Sequence, residues 1–263
     1  MIHETAIISK GAVIGNNVQI GPFCLIGPEV KIGDNCIIHS HVVITGKTNI
    51  GKNNEIFPFA CIGHKTQDLK FKNEESFIEI GDNNSIREYV TIHPGTIGGG
   101  LVTKLGSFGL YMIGVHIAHD CIVGNNIIFA NLVTLGGHVQ VEDYVVIGGL
   151  SAVHQHVRIG AQAMIGGCTG VERDVAPFAV VTSERAYIAG MNLLGLKRRG
   201  FAQDEILSLQ TAFNTLFFED YPLDEAVEII RQKQNSNPLI QQLLEFVSLR
   251  SKRSLTIGSK SKK

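Results

Sequence analysis

Apolar residues recur at every sixth position along most of this chain. The register runs Ile8, Ile14, Ile20, Ile26, Ile32, Ile38, Ile44, Ile50, Ile56 and Ile62, and returns at Ile80, Ile86 and Ile92. From Leu105 it continues in a new phase through Tyr111, Ile117, Val123, Phe129, Leu135, Val141, Ile147, Val153, Ile159, Ile165 and Val171. The next position is mostly small, as at Gly15, Gly21, Gly33, Gly106, Ala118, Gly124, Gly136 and Gly148. An α-helix turning every 3.6 residues cannot hold such a register, whereas short β-branched strands separated by turns can. The pattern predicts a β-solenoid in which every sixth residue faces one continuous core. Glycines at the turns are expected to supply backbone conformations that other residues avoid, with the asparagine pairs Asn16-Asn17, Asn53-Asn54 and Asn125-Asn126 tolerating them next best.

Two interruptions break the register. Eighteen residues separate Ile62 from Ile80, so 66–77 leave the solenoid as a polar excursion containing Gln67-Asp68-Leu69-Lys70. Thirteen rather than twelve separate Ile92 from Leu105, so a second loop, 94–104, shifts the phase around Gly98-Gly99-Gly100. Loops of this length inside a compact solenoid are more often functional than decorative, and both are expected to reach over a neighbouring surface. After Val171 and Pro177 the repeat fades. Three- and four-residue spacing then predicts helices over Asp204 to Phe218, about Leu223 to Gln234, and Leu239 to Leu249. The expected division is a solenoid over 1–187 and a helical domain over 188–263, which can cover the open strand edge of the last coil.

Composition narrows the picture. With 44% hydrophobic residues the chain can fill a sizeable core, and a net charge of −1 argues against a general nucleic-acid binder. The first fifteen residues lack a basic segment followed by an apolar run, and no stretch approaches the roughly 18 apolar residues of a membrane helix. Neither export nor stable membrane insertion is expected. Five cysteines without a Cys-x-x-Cys pair indicate neither a disulfide framework nor a structural zinc site, so the expected compartment is reducing cytoplasm. The basic tail, with Lys252, Arg253, Lys260, Lys262 and Lys263, reads as a frayed, solvated end.

Candidate chemistry concentrates in His116-Ile117-Ala118-His119-Asp120-Cys121. If three sixes make one triangular coil, residues eighteen apart are neighbours in successive coils. His119 then stacks under Gly137 and Gln155, and Asp120 under His138 and His156. Two residues beyond a core position the side chain points outward, so His119 is presented on the surface. An outward histidine beside a carboxylate suits a general base, and an unshielded glycine amide above it suits an oxyanion donor. No Gly-x-Ser-x-Gly elbow is present, so direct attack is the expected chemistry.

The six-residue repeat resembles that of the left-handed parallel β-helix acyltransferases, and handedness and the triangular section rest on that resemblance. Pro22-Phe23-Cys24, Gln67-Asp68-Leu69-Lys70, Glu88-Tyr89-Val90-Thr91-Ile92-His93, His116 to Cys121, Gly148-Gly149-Leu150-Ser151-Ala152-Val153-His154-Gln155 and Gly195-Leu196-Lys197-Arg198-Arg199-Gly200 are similar to the acyl-[acyl-carrier-protein]:UDP-N-acetylglucosamine O-acyltransferase family. The resemblance implies a homotrimer that moves an (R)-3-hydroxyacyl group from acyl carrier protein to the 3-hydroxyl of UDP-N-acetylglucosamine, the first step of lipid A synthesis. It implies His119 as base, Asp120 as its orienting partner and Gly137 as oxyanion donor. Substrate contacts are implied at Gln67, Asp68, Lys70, His116, His138, His154, Gln155, Asn192, Arg198 and Arg199, and an acyl-length ruler at Gly167. Leu194 stands where the family commonly has glutamate, and His156 receives no role. No metal and no cofactor are expected beyond the donor's own phosphopantetheine. The alternatives are N-acylation of a 3-amino sugar nucleotide, a β-helix metalloenzyme using clustered histidines, and a non-catalytic solenoid.

Overall fold

The computed structural model describes residues 1–233, 237–249 and 251–258. Its main body is a three-faced parallel β-helix, consistent with the left-handed coil that the resemblance implies. Among the described residues, face I holds nine strands, from Ile7–Ile8 through His116–Ile117 to Gly170–Val171. Face II holds eight, from Val13–Ile14 to Arg158–Ile159, and face III ten, beginning at Gln19–Ile20. Most strands are two residues long, and successive coils pair in parallel with an eighteen-residue offset, as in His116↔Thr134 and Thr134↔Ala152. In the two-residue strands from Gln19–Ile20 onward the second residue is the buried one, which stacks Ile26, Ile44, Ile62, Ile92, Ile117 and Leu135 in a single column behind face I. That column is the sequence period made physical, because apolar burial drives the coil and a shift of one residue would turn every core side chain to solvent.

The glycines do something other than expected. The left-handed corner is taken by the third residue after each core position, and it is usually not glycine: Asn17 has φ 56°, Asp120 61°, His138 62° and His156 65°. Glycine just after the core position instead allows close approach between coils. A Cβ on Gly15 would lie 2.7 Å from the backbone of Asp34 in the next coil.

Both interruptions are bridged from inside. Asn54 Nδ2 donates to the carbonyl of Gly81, and Asn84 Nδ2 donates to Asn54 Oδ1 and to the carbonyl of Gly106. These buried amides join coils that the loops separate in sequence. Strand Phe77–Ile80 resumes face II beside Lys47–Ile50.

The upper edge of the solenoid is closed by chain as well as by helices. Strand Tyr187–Met191 pairs antiparallel with Ala179–Thr182 on face III, so the expected division at 187/188 falls inside this strand. Helices α1 (Leu193–Arg198), α2 (Gln203–Phe217), α3 (Leu223–Gln232) and α4 (Pro238–Ser248) follow; α1 is additional to the three expected. The expected end of α3 at Gln234 lies outside the described residues, as do Lys260, Lys262 and Lys263. Part of the supposedly frayed tail is a strap: the Asp174 amide donates to the Ser254 carbonyl, the Thr256 amide to the Asp174 carbonyl and the Ile188 amide to the Ile257 carbonyl. Buried Asp174 also accepts from Arg158 Nε at 2.8 Å, and the Arg158 guanidinium stacks 4.4 Å over Phe246 of α4. No described helix is long and apolar enough to cross a membrane.

Candidate active site

The corner between faces I and II carries the titratable cluster. His119 and Asp120 follow strand His116–Ile117, and the coil above places Gly137 and His138 over them; the His138 amide donates to the His119 carbonyl at 3.0 Å. His119 Nδ1 lies 2.7 Å from Asp120 Oδ2. Its ring leans towards the upper coil into space that only glycine leaves open, because a Cβ on Gly137 would sit 2.4 Å from a ring carbon. Among the described residues the Gly137 amide has no hydrogen-bond partner. An unengaged donor therefore lies beside the candidate base.

Asp120 is buried and fully engaged. Its Oδ1 accepts from the Thr96 amide at 2.8 Å, and its Oδ2 from the Thr96 hydroxyl at 2.6 Å. Thr103 Oγ1 accepts from the Asp120 amide at 2.8 Å. Burial by itself would raise the carboxyl pKa, but hydrogen bonds from His119 and from the hydroxyl and amide of Thr96 outweigh it, and the net shift is downward. Asp120 is thus an anion at neutral pH. The 94–104 loop, expected to reach over a neighbouring surface, folds back on its own chain to supply these donors. Gly99 packs against the carboxylate, and the Ile97 amide donates to Glu74 Oε1 at the end of the first loop. Thr96 and Thr103 were not singled out in the sequence; the phase slip beside Gly98-Gly99-Gly100 was the available signal.

Four more histidines surround the pair. His116 Nδ1 lies 2.7 Å from Thr91 Oγ1, and the His116 ring meets His93 edge-on at 5.0 Å between centroids. Burial, reinforced by the neighbouring His116, His119 and His64, pushes the His93 pKa down to about 4; burial also lowers that of His116. His138 meets His119 edge-on at 5.0 Å and stacks on His156 at 4.3 Å. Desolvation lowers both His138 and His156, so these rings are neutral at pH 7.

An open cleft of about 420 Å³ brings Gln67, Asp68, Lys70, His116, His119 and Gln155 together. Within the first loop Asp68 Oδ1 accepts from the Lys70 amide at 2.9 Å, and this turn leaves Leu69 fully exposed at the tip. His154 lies just outside, its Nδ1 contacted by Arg253.

The remaining candidates stand at other corners of the same chain. Asn192, a substrate contact by resemblance, is buried in this chain: it caps α1 by accepting from the Gly195 amide and donates to the Gln162 carbonyl. Arg199 donates to the Tyr144 carbonyl and to Gln162 Oε1 at the corner between faces II and III, and Arg198 is exposed beside it. Gly167 lies at the corner between faces III and I, where a Cβ would meet the Gly149 carbonyl oxygen at 3.3 Å.

His119, Asp120 and His138 each offer a ligand atom within 4.8 Å of the others, a spacing able to hold a metal ion. Asp120 Oδ2 already accepts hydrogen bonds from the Thr96 hydroxyl and from His119.

Residues 174–256 match the family described as Udp N-acetylglucosamine O-acyltransferase, Domain 2, and residues 11–46 match the bacterial transferase hexapeptide repeat. LpxA from Acinetobacter baumannii is 44% identical with a TM-score of 0.93, the alignment covering 97% of this chain and 99% of that one. The chain belongs to the UDP-N-acetylglucosamine O-acyltransferase family. LpxA of Moraxella catarrhalis RH4 matches at 40% identity and TM-score 0.94 over 97% of this chain and 99% of its own. The Francisella novicida UDP-N-acetylglucosamine acyltransferase matches at 37% and 0.95 over 99% and 95%. The protein is an acyltransferase of lipid A biosynthesis, and the His119 corner is its candidate active site.

Proposed function

We propose that the chain transfers an (R)-3-hydroxyacyl group from acyl carrier protein to the 3-hydroxyl of UDP-N-acetylglucosamine by direct attack, with His119 as general base. The observation that carries this reading is the His119–Asp120 pair, closed from behind by Thr96 and opening onto a cleft beside the unengaged Gly137 amide. Asp120 Oδ2 accepts a hydrogen bond from His119 Nδ1–H, which leaves Nε2 as the base. The sugar hydroxyl attacks the thioester carbonyl while Nε2 takes its proton. The Gly137 amide donates to the resulting oxyanion. Collapse expels the thiolate, and the imidazolium returns the proton to sulfur. Asp120 stabilises the imidazolium between these steps, and no covalent enzyme intermediate or metal is required.

The outward positions of face I become small above His116, in the order Thr134, Ala152, Gly170. This strip gives an acyl chain a path along the solenoid, and it closes at Gly170, where a Cβ would strike the Glu184 carbonyl oxygen at 2.6 Å. Gly167 flanks the same face, so a larger side chain there shortens the preferred acyl chain. Asn192, Arg198 and Arg199 act on substrate only if another copy's corner meets this cleft, and the exposed tip at Leu69 suits insertion into such a neighbour. We therefore include a homotrimer, working in the cytoplasm, in the proposal.

The test is transfer from 3-hydroxyacyl carrier proteins of several lengths to UDP-N-acetylglucosamine and to its 3-amino analogue, with mass measured in solution. Transfer to the hydroxyl acceptor by a trimer is expected. Transfer to the amine alone would replace the acceptor, and transfer to neither would overturn the proposal.

A further inference from the structure

The histidine column does not end at the catalytic pair. Above His138 it continues to His156, and the C-terminal strap crosses the same corner. Arg253 Nε donates to the Gln155 carbonyl at 3.0 Å, and its Nη2 lies 2.5 Å from His154 Nδ1. A guanidinium can only donate, so His154 Nδ1 accepts and the ring carries its proton on Nε2, as a second outward donor. Lys252 stands close enough to bear on both His138 and His156.

The charge at this spot is one-sided. Besides burial, the influences on His156 are His138, Lys252, Arg253 and His119, all cations or potential cations. Of the acidic groups, Asp120 and Asp68 bear on His138, Asp174 beneath the strap is held by Arg158, and among the described residues none forms an ion pair with Lys252 or Arg253. Asp120 is held by Thr96 and His119, and Asp68 accepts from the amide of Lys70 across the cleft. Gln155, whose carbonyl Arg253 grips, lines the reaction cleft itself. The strap that carries these cations is pinned on either side of Asp174 and against Ile188, so their placement is built into the fold. Converging donors with no anion of their own, at the edge of a cleft, are complementary to a doubly acceptor-rich oxyanion.

We propose that Lys252 and Arg253 of the strap, together with His154 and His156, form a phosphate subsite at the C-terminal end of the His119 cleft. This extends the transferase reading above, since both substrates in that reading carry phosphate: the donor a phosphodiester on its pantetheine arm, the acceptor a nucleoside diphosphate. His156 contributes its ring as a donor and a support for His138, and Arg253 is a positioning residue for His154 and Gln155 as well as a charge.

The experiment uses the full-length wild type and the double variant Lys252→Ala/Arg253→Ala, titrated calorimetrically with two matched pairs, 4′-phosphopantetheine against pantetheine and UDP against uridine, with transfer rates measured in parallel. Within one pair, the phosphorylated compound is expected to lose about tenfold or more in affinity in the variant while its unphosphorylated partner is unchanged. The pair affected identifies whether donor or acceptor supplies the phosphate. Arg253→Lys should recover part of the loss. Equal weakening of both members of a pair would mean that the strap only supports the corner, and would overturn the subsite. So would unchanged binding of every compound. A wild type that binds phosphate selectively through these residues but transfers no acyl group would sink the transferase reading and leave the subsite standing.

Discussion

Two corners of the solenoid make the same turn and do opposite things. Between faces II and III, the amide two residues beyond a core position donates to the side chain at the same place one coil higher. Asn16 reaches Asp34, Lys52 reaches Asp82, Asp82 reaches Ser107, Ser107 reaches Asn125, and Asn125 reaches Asp143, at 2.6 to 2.9 Å. The ladder engages these five amides with side chains of the chain itself. Between faces I and II, the residue above His119 is Gly137, which has no side chain to accept. Among the described residues no such ladder runs along this corner: the His119 ring tilts into the gap over Gly137, and the Gly137 amide stays open. One glycine, backed by a loop that holds Asp120, leaves a place where charge can develop.

The sharpest break of this comparison is His119→Ala. Loss of the general base is expected to lower kcat by about 10³-fold, within the usual range for such groups, with little change in melting temperature. A near-normal kcat in the alanine variant would remove His119 from the mechanism. Gly137→Ala tests the gap itself. The new Cβ collides with the ring, and a displacement approaching 1 Å should cost about 10²-fold in kcat. An alanine variant with unchanged kcat would show that the gap over His119 has no catalytic consequence.

Much of this was legible in the sequence and some was not. The core register was visible because burial demands it at every sixth residue, whereas the pairing of His119 with Gly137 and of Asp120 with His138 needed the three-sided, eighteen-residue coil that the resemblance implied. The role of glycine was misjudged, because the sequence shows where small residues recur but not whether backbone angle or clearance requires them. Thr96 and Thr103 carry no periodic signal. Their position is fixed by a loop whose path depends on the acceptor it finds, and only the phase slip marked the place. The tail was read as solvated because it is a basic chain end, and what orders 251–258 is main-chain pairing to Asp174 and Ile188. Asn192 and Arg199 came by resemblance alone, and within one chain they face a different corner.

Acid should separate the two corners next. His93 lies buried on the active side, its pKa held down to about 4 by burial and by His116, His119 and His64. In the unfolded chain it titrates near 6.5, so between those values the unfolded state binds the extra proton. The contribution of a neutral His93 is therefore present above pH 6.5 and lost as pH falls towards 4, up to about 3 kcal/mol. Denaturant melts across this window should show a smaller acid loss in His93→Gln than in the wild type. Parallel curves would mean that His93 is already protonated in the fold.

The smallest effect is expected at the closed corner. Asp143 Oδ1 accepts from the Asn125 amide at 2.7 Å and from its side-chain amide at 3.2 Å. In Asp143→Ala both donors turn to water, since this corner is only half-buried. The loss should be about 1 kcal/mol, seen as a melting temperature lower by roughly 2–4 °C. Because the ladder here ends in structure, kcat and both KM values should be unchanged. A fall in kcat with intact stability would show that strain passes from one corner of the coil to the other through the two-residue strands, and the two corners would then have to be treated as one device.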